Sequence, residues 1–287
     1  RNPHGPFSPA LLSTLEAGVS SALAEDVGTW DVTGLLIPDG QTESARVIVR
    51  EQAVLCGAPW FEAVMHHVNE HIVVEWAFAE GDLMPADAVV CRMRGPARAL
   101  LTAERTALNF LQLFSGIASA TRHYVDLVQG TRANILDTRK TLPGLRLAEK
   151  YAVRVGGGHN QRIALYDGIL IKENHIAAAG GIAAALRAAQ ALPHQVPIQI
   201  EVESLAELDQ ALKADATSVL LDNFSLDDMA RAVQVTAGRA LLEASGGITH
   251  ATVSAIAQTG VDRISVGSLT KDVRATDYSM RLIPESA

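Results

Sequence analysis

The sequence predicts an α/β protein: an N-terminal α+β block, then a C-terminal parallel sheet that favours a barrel. Three observations lead there. The first part mixes longer strand-like segments with helical ones, a long helical segment follows, and the second half alternates short apolar strands with amphipathic helices.

The first helix is expected over 8–24 (SPALLSTLEAGVSSALA), with Ser8 as N-cap and Pro9 at the first helical position. SARVIVREQAVLCG, HIVVEWAFAEGD and AVVCRMRGPARALL carry strand patterning, and PWFEAVMHHVNE between them has helical spacing. The long helix is expected from Thr102 as N-cap, with Ala107, Leu108, Leu111, Phe114 and Ala118 along one face. That start puts Arg105 in the first turn, where the helix dipole disfavours a cation unless Glu104, Asp31 or a bound anion answers it.

Beyond this helix come the strands ANILDT, GILIKE, IQIEVE, SVLLDN, ALLEAS and RISVGS, spaced at intervals of about 20 to 35 residues. GIAAALRAAQAL, SLAELDQALKA, SLDDMARAVQV and THATVSAIAQT lie between them as helices. Strands that are apolar throughout suit a sheet covered on both faces. Nearly every strand ends in polar residues, and a barrel gathers such ends at one mouth, whereas an open sheet collects ligands only at its switch point.

Composition narrows the function. A net charge of −8 opposes general nucleic-acid binding, which needs a broad basic face. No apolar run approaches the roughly 20 residues of a membrane span. Cys56 and Cys91 lack CxxC spacing and suit buried free thiols in a reducing cytoplasm. The opening RNPHGPFSPA has no secretory h-region, and a start without Met suggests processing or trimming.

The strand ends carry Asp137, Arg139 and Lys140; Lys172 to His175; Glu201 and Glu203; Asp222 and Asn223; Glu243 and Ser245 to Gly247; and Ser265 to Ser268. Cations on the early strands, with Arg162 in the loop before Gly168, suit anionic substrate groups. The carboxylates Glu201 and Asp222 suit Mg²⁺ shared with a diphosphate, and the late Ser/Gly turns offer N–H groups to phosphate. His66, His67 and His71 have no zinc spacing, and Gly156 to Gly158 match neither Walker nor dinucleotide patterns.

Taken in this order, DTRKTLPGLRLAEKYAV, GGGHNQR, LIKENHI, EVES, LLDNF, EASGGI and ISVGSLT resemble the quinolinate phosphoribosyltransferases from about Ala22 to Met280. The resemblance implies an N-terminal α+β open sandwich over 1–115, an incomplete parallel α/β barrel over 116–275, and a tail, 276–287, returning to the first domain. It implies a cytoplasmic homodimer that acts on quinolinate and 5-phosphoribosyl-1-diphosphate with Mg²⁺, without nucleic-acid or membrane partners. The products are nicotinate mononucleotide, diphosphate and CO₂, a step of NAD biosynthesis.

By the same resemblance, Arg139, Arg162 and Lys172 hold the quinolinate carboxylates with Gln161 presented toward them, Thr138 is substrate-binding, Lys140 lies between the substrates near the reacting centre, and Arg105 crosses from the other subunit. Glu201 and Asp222 hold Mg²⁺ and the ribose hydroxyls, while Ser245, Gly246, Gly247, Ser265, Val266 and Gly267 take the 5-phosphate. Lys140, Glu201 and Asp222 are the expected catalytic set.

One position departs: the family usually reads GGG-x-N-His-Arg, and here Gln161 replaces the histidine while His159 fills the variable slot. A neutral amide in place of a cation predicts weaker carboxylate binding. The departure also keeps in view a related phosphoribosyltransferase using another pyridine or base. A non-catalytic phosphate-sensing barrel leaves Lys140, Glu201 and Asp222 without purpose, and a phosphosugar lyase or isomerase does not account for the early cations.

Overall fold

The computed structural model describes residues 4–193 and 195–283. It divides into two compact units: Arg1–Ala120 with Pro143–Gly157 and Asp272–Ala287, and Thr121–Leu142 with Gly158–Lys271. Residues 1–3 and 284–287, the ends of the expected first domain and tail, lie outside the described residues.

In the first unit, α1 (Pro9–Asp26) begins as expected, the Ser8 hydroxyl accepting from Leu11 N–H at 3.2 Å. β1 (Thr42–Val49), the short pair β2 (Ala53–Val54) and β4 (Leu83–Met84), α2 (Ala58–Val68), β3 (Val73–Trp76) and β5 (Val89–Pro96) follow. α3 (Ala97–Leu127) then begins directly where β5 ends, its residues up to Ala120 belonging to this unit and those from Thr121 to the second. α4 (Arg146–Val155) and β12 (Tyr278–Ile283) complete the unit from later in the chain. The main sheet has the order β12-β1-β5-β3 and is antiparallel throughout.

Its core joins Trp60, Phe114 and Tyr151, with ring centroids 4.8 Å apart for Trp60–Phe114 and 5.5 Å for Trp60–Tyr151. Tyr151 also donates its hydroxyl to Glu80 at 3.0 Å, and Glu80 takes the N–H groups of Gly57 and Ala58 at the start of α2. These contacts explain why 143–157, expected within the barrel domain, groups with the first unit: its apolar face has its partners there.

The start of α3 corrects the expected N-terminus at Thr102. Ala97, Leu100 and Ala103 already lie on the buried stripe, so the 3.6-residue period begins immediately after Pro96. Thr102 sits inside the helix and donates to the Arg98 carbonyl and to Asp31. Arg105 is therefore not in the first turn, and no helix-dipole penalty applies to it. Asp31 is held by Thr102 and the Gly34 N–H, which pull its carboxyl below the usual range.

The second unit contains β6 (Asn134–Leu136), β7 (Ile169–Ile171), β8 (Ile198–Val202), β9 (Ser218–Asp222), β10 (Leu241–Ser245) and β11 (Arg263–Ser265), the strands the sequence indicates. They form one parallel sheet in the order β6-β11-β10-β9-β8-β7. α5 (Glu173–Ala179), α6 (Ile182–Gln190), α7 (Leu205–Lys213), α8 (Leu226–Thr236), α9 (Val253–Gln258) and the short α10 (Ser268–Lys271) lie between or after the strands. Ser204 and Ser225 cap α7 and α8 through their hydroxyls.

β6 and β7 are the two edges of this sheet, and one short segment spans the gap between them. His159 lies beside Leu136 as a parallel rung, its N–H donating to the Ile135 carbonyl at 2.8 Å. Two residues on, Gln161 bonds Gln199 of β8 and Arg162 bonds the Gly168 carbonyl next to β7. A segment touching both edges brings the sheet round on itself as an incomplete barrel, with His159 to Arg162 in its seam.

Candidate active site

Register decides which side chains share the barrel interior. Paired residues of neighbouring strands project to the same side, and alternate residues along a strand share a face. Glu201 pairs with Leu220, Leu220 with Glu243, Glu243 with Arg263, Ser245 with Asp222, and Ser265 with Leu136. Gln199 pairs with Leu170. Stepping by two puts Thr138, Lys172, Gln199, Glu201, Asp222, Glu243, Ser245 and Ser265 on one common face. In the opposite register these polar groups would face the helices.

At the carboxyl ends of the strands, several of the expected residues meet. Lys172 Nζ donates to Glu201 Oε2 at 2.9 Å and Oε1 at 3.3 Å. Glu201 is 9% exposed, so its charge would be costly without that ammonium. Asn223 N–H donates to the Ser245 carbonyl at 3.0 Å and its Nδ2 to Asp222 Oδ2 at 3.0 Å, tying the end of β9 to that of β10.

Lys140 lies across the last turn. Its N–H donates to Thr138 Oγ1 at 3.0 Å and its carbonyl accepts from Thr270 Oγ1 at 2.7 Å. A Cβ on Gly267 would stand 3.1 Å from Lys140 Cδ and 3.6 Å from Thr138 Oγ1, so the absence of a side chain there leaves room for the lysine. Val266 N–H is used by the Leu136 carbonyl, and Ser265 is buried with its hydroxyl toward the Ala244 carbonyl.

Gly246 and Gly247 take φ of +103° and +57°, the left-handed region that favours glycine, so the SGG turn is exposed and compact. Arg162 is half-buried. Burial and the neighbouring Arg139 cation both lower its pKa, with Asp167 opposing. Two guanidinium groups held within electrostatic reach are favourable only where an anion joins them.

Gln161 and Arg162 also line a cavity of about 750 Å³ at the opposite, amino ends of the strands. The first residue of every barrel strand borders it, Asn134, Ile169, Ile198, Ser218, Leu241 and Arg263. Gln161 and Arg162 thus belong to the seam and to the interior below the mouth. Arg105 lies exposed on α3 in the first unit.

One buried polar residue, Gln199, was missed by strand-end reading, and two that it named, Asp137 and Glu243, make contacts it did not assign. Asp137, fully buried, accepts from the Gln161 N–H at 2.9 Å and from the Asn160 side chain. Gln199 donates to Glu243 at 2.9 Å, and burial pushes the Glu243 carboxyl above its usual range. The signal for Gln199 was the two-residue period: it precedes Glu201 by two on the same strand.

Comparison with known proteins agrees with this geometry. Residues 31–115 match the family model for the N-terminal domain of quinolinate phosphoribosyl transferase, and 117–281 match that for its C-terminal domain. The nicotinate-nucleotide pyrophosphorylase (carboxylating) of Mycobacterium leprae is 41% identical over 271 residues, covering 92% of this chain and 95% of the relative. Quinolinate phosphoribosyltransferase (decarboxylating) 1b of Nicotiana tabacum is 36% identical over 294 residues, covering 95% and 83%. The solved nicotinate-nucleotide pyrophosphorylase of Francisella tularensis superposes with a TM-score of 0.93 at 44% identity, over 94% of this chain and 96% of that one. With both domain models matched in order and the polar face of the barrel in place, the chain belongs to the quinolinate phosphoribosyltransferase family.

Proposed function

We propose that this chain joins quinolinate to 5-phosphoribosyl-1-diphosphate with loss of CO₂, giving nicotinate mononucleotide and diphosphate. The observation that carries the reading is the single interior face shared by Thr138, Lys172, Glu201, Asp222, Ser245 and Ser265. A polyanionic substrate pair accounts for cations gathered in a protein of net charge −8.

Arg139, Arg162 and Lys172 hold the pyridine carboxylates, and Thr138 and Lys140 lie between the substrates. Ser245, Gly246, Gly247 and Gly267 receive the 5-phosphate through backbone N–H and hydroxyl donors, while Ser265 and Val266, whose own donors are engaged inside the barrel, shape the turn. Lys172 is parked on Glu201 in the free protein, and quinolinate competes for it. Release of Lys172 then frees Glu201 for the ribose.

The donor set fits Mg²⁺: Glu201 and Asp222 give hard carboxylate oxygens on one face, and the diphosphate supplies the remainder. Held by those two residues, the ion would neutralise the leaving diphosphate. The pyridine nitrogen bonds to the anomeric carbon as the carbon–oxygen bond to diphosphate breaks. Glu201 and Asp222 steady the positive charge developing on the sugar, which makes preorganised charge the main catalytic device. The bond to the 2-carboxylate then breaks to release CO₂, its electron pair stays on the carbon beside the ring nitrogen, and a proton fills that position.

A homodimer is part of this proposal. Trp30, Val32 and Leu36 of the first unit are 72%, 73% and 79% exposed, an apolar cluster suited to a second copy. Arg105, exposed on α3, is the residue offered to the neighbouring site.

Incubation with quinolinate, 5-phosphoribosyl-1-diphosphate and Mg²⁺ should release CO₂ and nicotinate mononucleotide. No product at high enzyme concentration refutes the reading. Mixing inactive Arg105→Ala and Lys140→Ala enzymes should restore activity through hybrid dimers, and failure to do so assigns Arg105 no role across the interface.

A further inference from the structure

Gln199 is an amide between Ile198 and Ile200 on β8, 7% exposed. Such a group is costly to bury unless its bonds are made. Its Oε1 accepts from Gln161 Nε2 at 2.8 Å, and its Nε2 donates to Glu243 Oε2 at 2.9 Å. Gln161 Oε1 in turn accepts from the Arg162 backbone N–H at 2.6 Å.

The direction of each bond in this row is set from its two ends. A backbone N–H can only donate, so Gln161 must turn its carbonyl to Arg162 and its NH₂ to Gln199. Gln199 must then offer its carbonyl to Gln161 and its NH₂ onward, which requires an acceptor at Glu243. Glu243 is 1% exposed, so solvent does not replace it in that role. On the other side, the Gln161 N–H is pinned by buried Asp137 at 2.9 Å, and Arg162 Nη1 reaches the Gly168 carbonyl at 3.0 Å.

We infer that Gln161, Gln199 and Glu243 are positioning residues for Arg162, a polar relay through the barrel interior that fixes the arginine for the pyridine carboxylate. Gln161 acts on the substrate through Arg162, which is why a neutral amide serves where the family usually has histidine. The relay rests on the reading above that Arg162 holds a quinolinate carboxylate.

The test compares kcat, both KM values and thermal stability in Gln161→Ala, Gln199→Leu, their double variant, Glu243→Leu, Glu243→Gln and, as reference, Arg162→Ala. Gln161→Ala and Gln199→Leu should each raise the quinolinate KM about tenfold and leave the 5-phosphoribosyl-1-diphosphate KM within about twofold. The double variant should be no worse than the poorer single one, because one broken link already releases the arginine. Glu243→Gln keeps a carbonyl for Gln199 and should recover most of the quinolinate affinity that Glu243→Leu loses.

Additive losses in the double variant, or equal rises in both KM values, would overturn the relay. Should Glu243→Leu fail to fold, the Gln161/Gln199 cycle decides alone. An Arg162→Ala enzyme with unchanged quinolinate KM overturns the functional reading itself. A loss in Arg162→Ala with none in Gln199→Leu overturns only the relay.

Discussion

Gly246→Ala tests the SGG turn at one atom. Gly246 has φ of +103°, and a Cβ there would stand 2.1 Å from Asn223 Oδ1 and 2.8 Å from its Cγ. The backbone strain alone is worth about 1–2 kcal/mol. Asn223 must also swing away and lose its bond to Asp222, about 0.5–1.5 kcal/mol more. Together these destabilise the barrel by about 1.5–3.5 kcal/mol, which lowers its melting temperature by about 3–14 °C. The kinetic effect should be selective. Loss of one charge-assisted bond to the 5-phosphate raises the 5-phosphoribosyl-1-diphosphate KM about 10- to 100-fold, while the quinolinate KM changes little. Differential scanning calorimetry and initial rates with either substrate varied would measure both. A variant with wild-type melting and wild-type KM would refute the assignment of this turn.

Lys172→Met removes the ammonium beside Glu201 and leaves that buried carboxylate without its partner, a stability loss of about 1–3 kcal/mol, toward the lower end because Lys172 is 46% exposed. The quinolinate KM should nevertheless rise about 10-fold or more, and a KM unchanged in initial-rate assays would remove Lys172 from the carboxylate site. Burial raises the Glu243 carboxyl in the folded state, so the stability it contributes is full below the ordinary carboxylate range and declines as pH rises through the raised value. The melting temperature of Glu243→Gln relative to wild type should therefore improve as pH rises above the ordinary carboxylate range, and a pH-independent difference contradicts this. Cys56 and Cys91 are buried, with burial pushing the Cys91 thiol up to about 12 and Cys56 also upward. Neither should react with a disulfide reagent until denaturant is added, and rapid labelling of the native protein would show the pocket around them to be open.

The barrel was legible because its strands are short and apolar, with glycine or polar residues at their ends. The polar face was half legible: strand ends drew attention to Glu201, Asp222 and Ser245, while Gln199 needed the two-residue period to be followed inward. The start of α3 misled because GPARALL continues the apolar density of β5, and only burial of Ala97 and Leu100 separates helix from strand. α5 is seven residues long with no buried residue, too short for a helical period to show. Likewise, nothing within 143–157 reveals that Tyr151 packs on Trp60 and Phe7, since both partners lie far off in sequence.

The pairing of β12 with β1, Ser44 opposite Ile283, sets the order in which a nascent chain can finish its units. The first sheet lacks an edge strand until β12 has been made, whereas every strand of the barrel is available earlier. During synthesis β1 is an unpaired edge able to recruit a strand from another chain, and that exposure ends only when β12 emerges. Truncation before Tyr278 should therefore cost solubility first and leave the barrel's own strands intact.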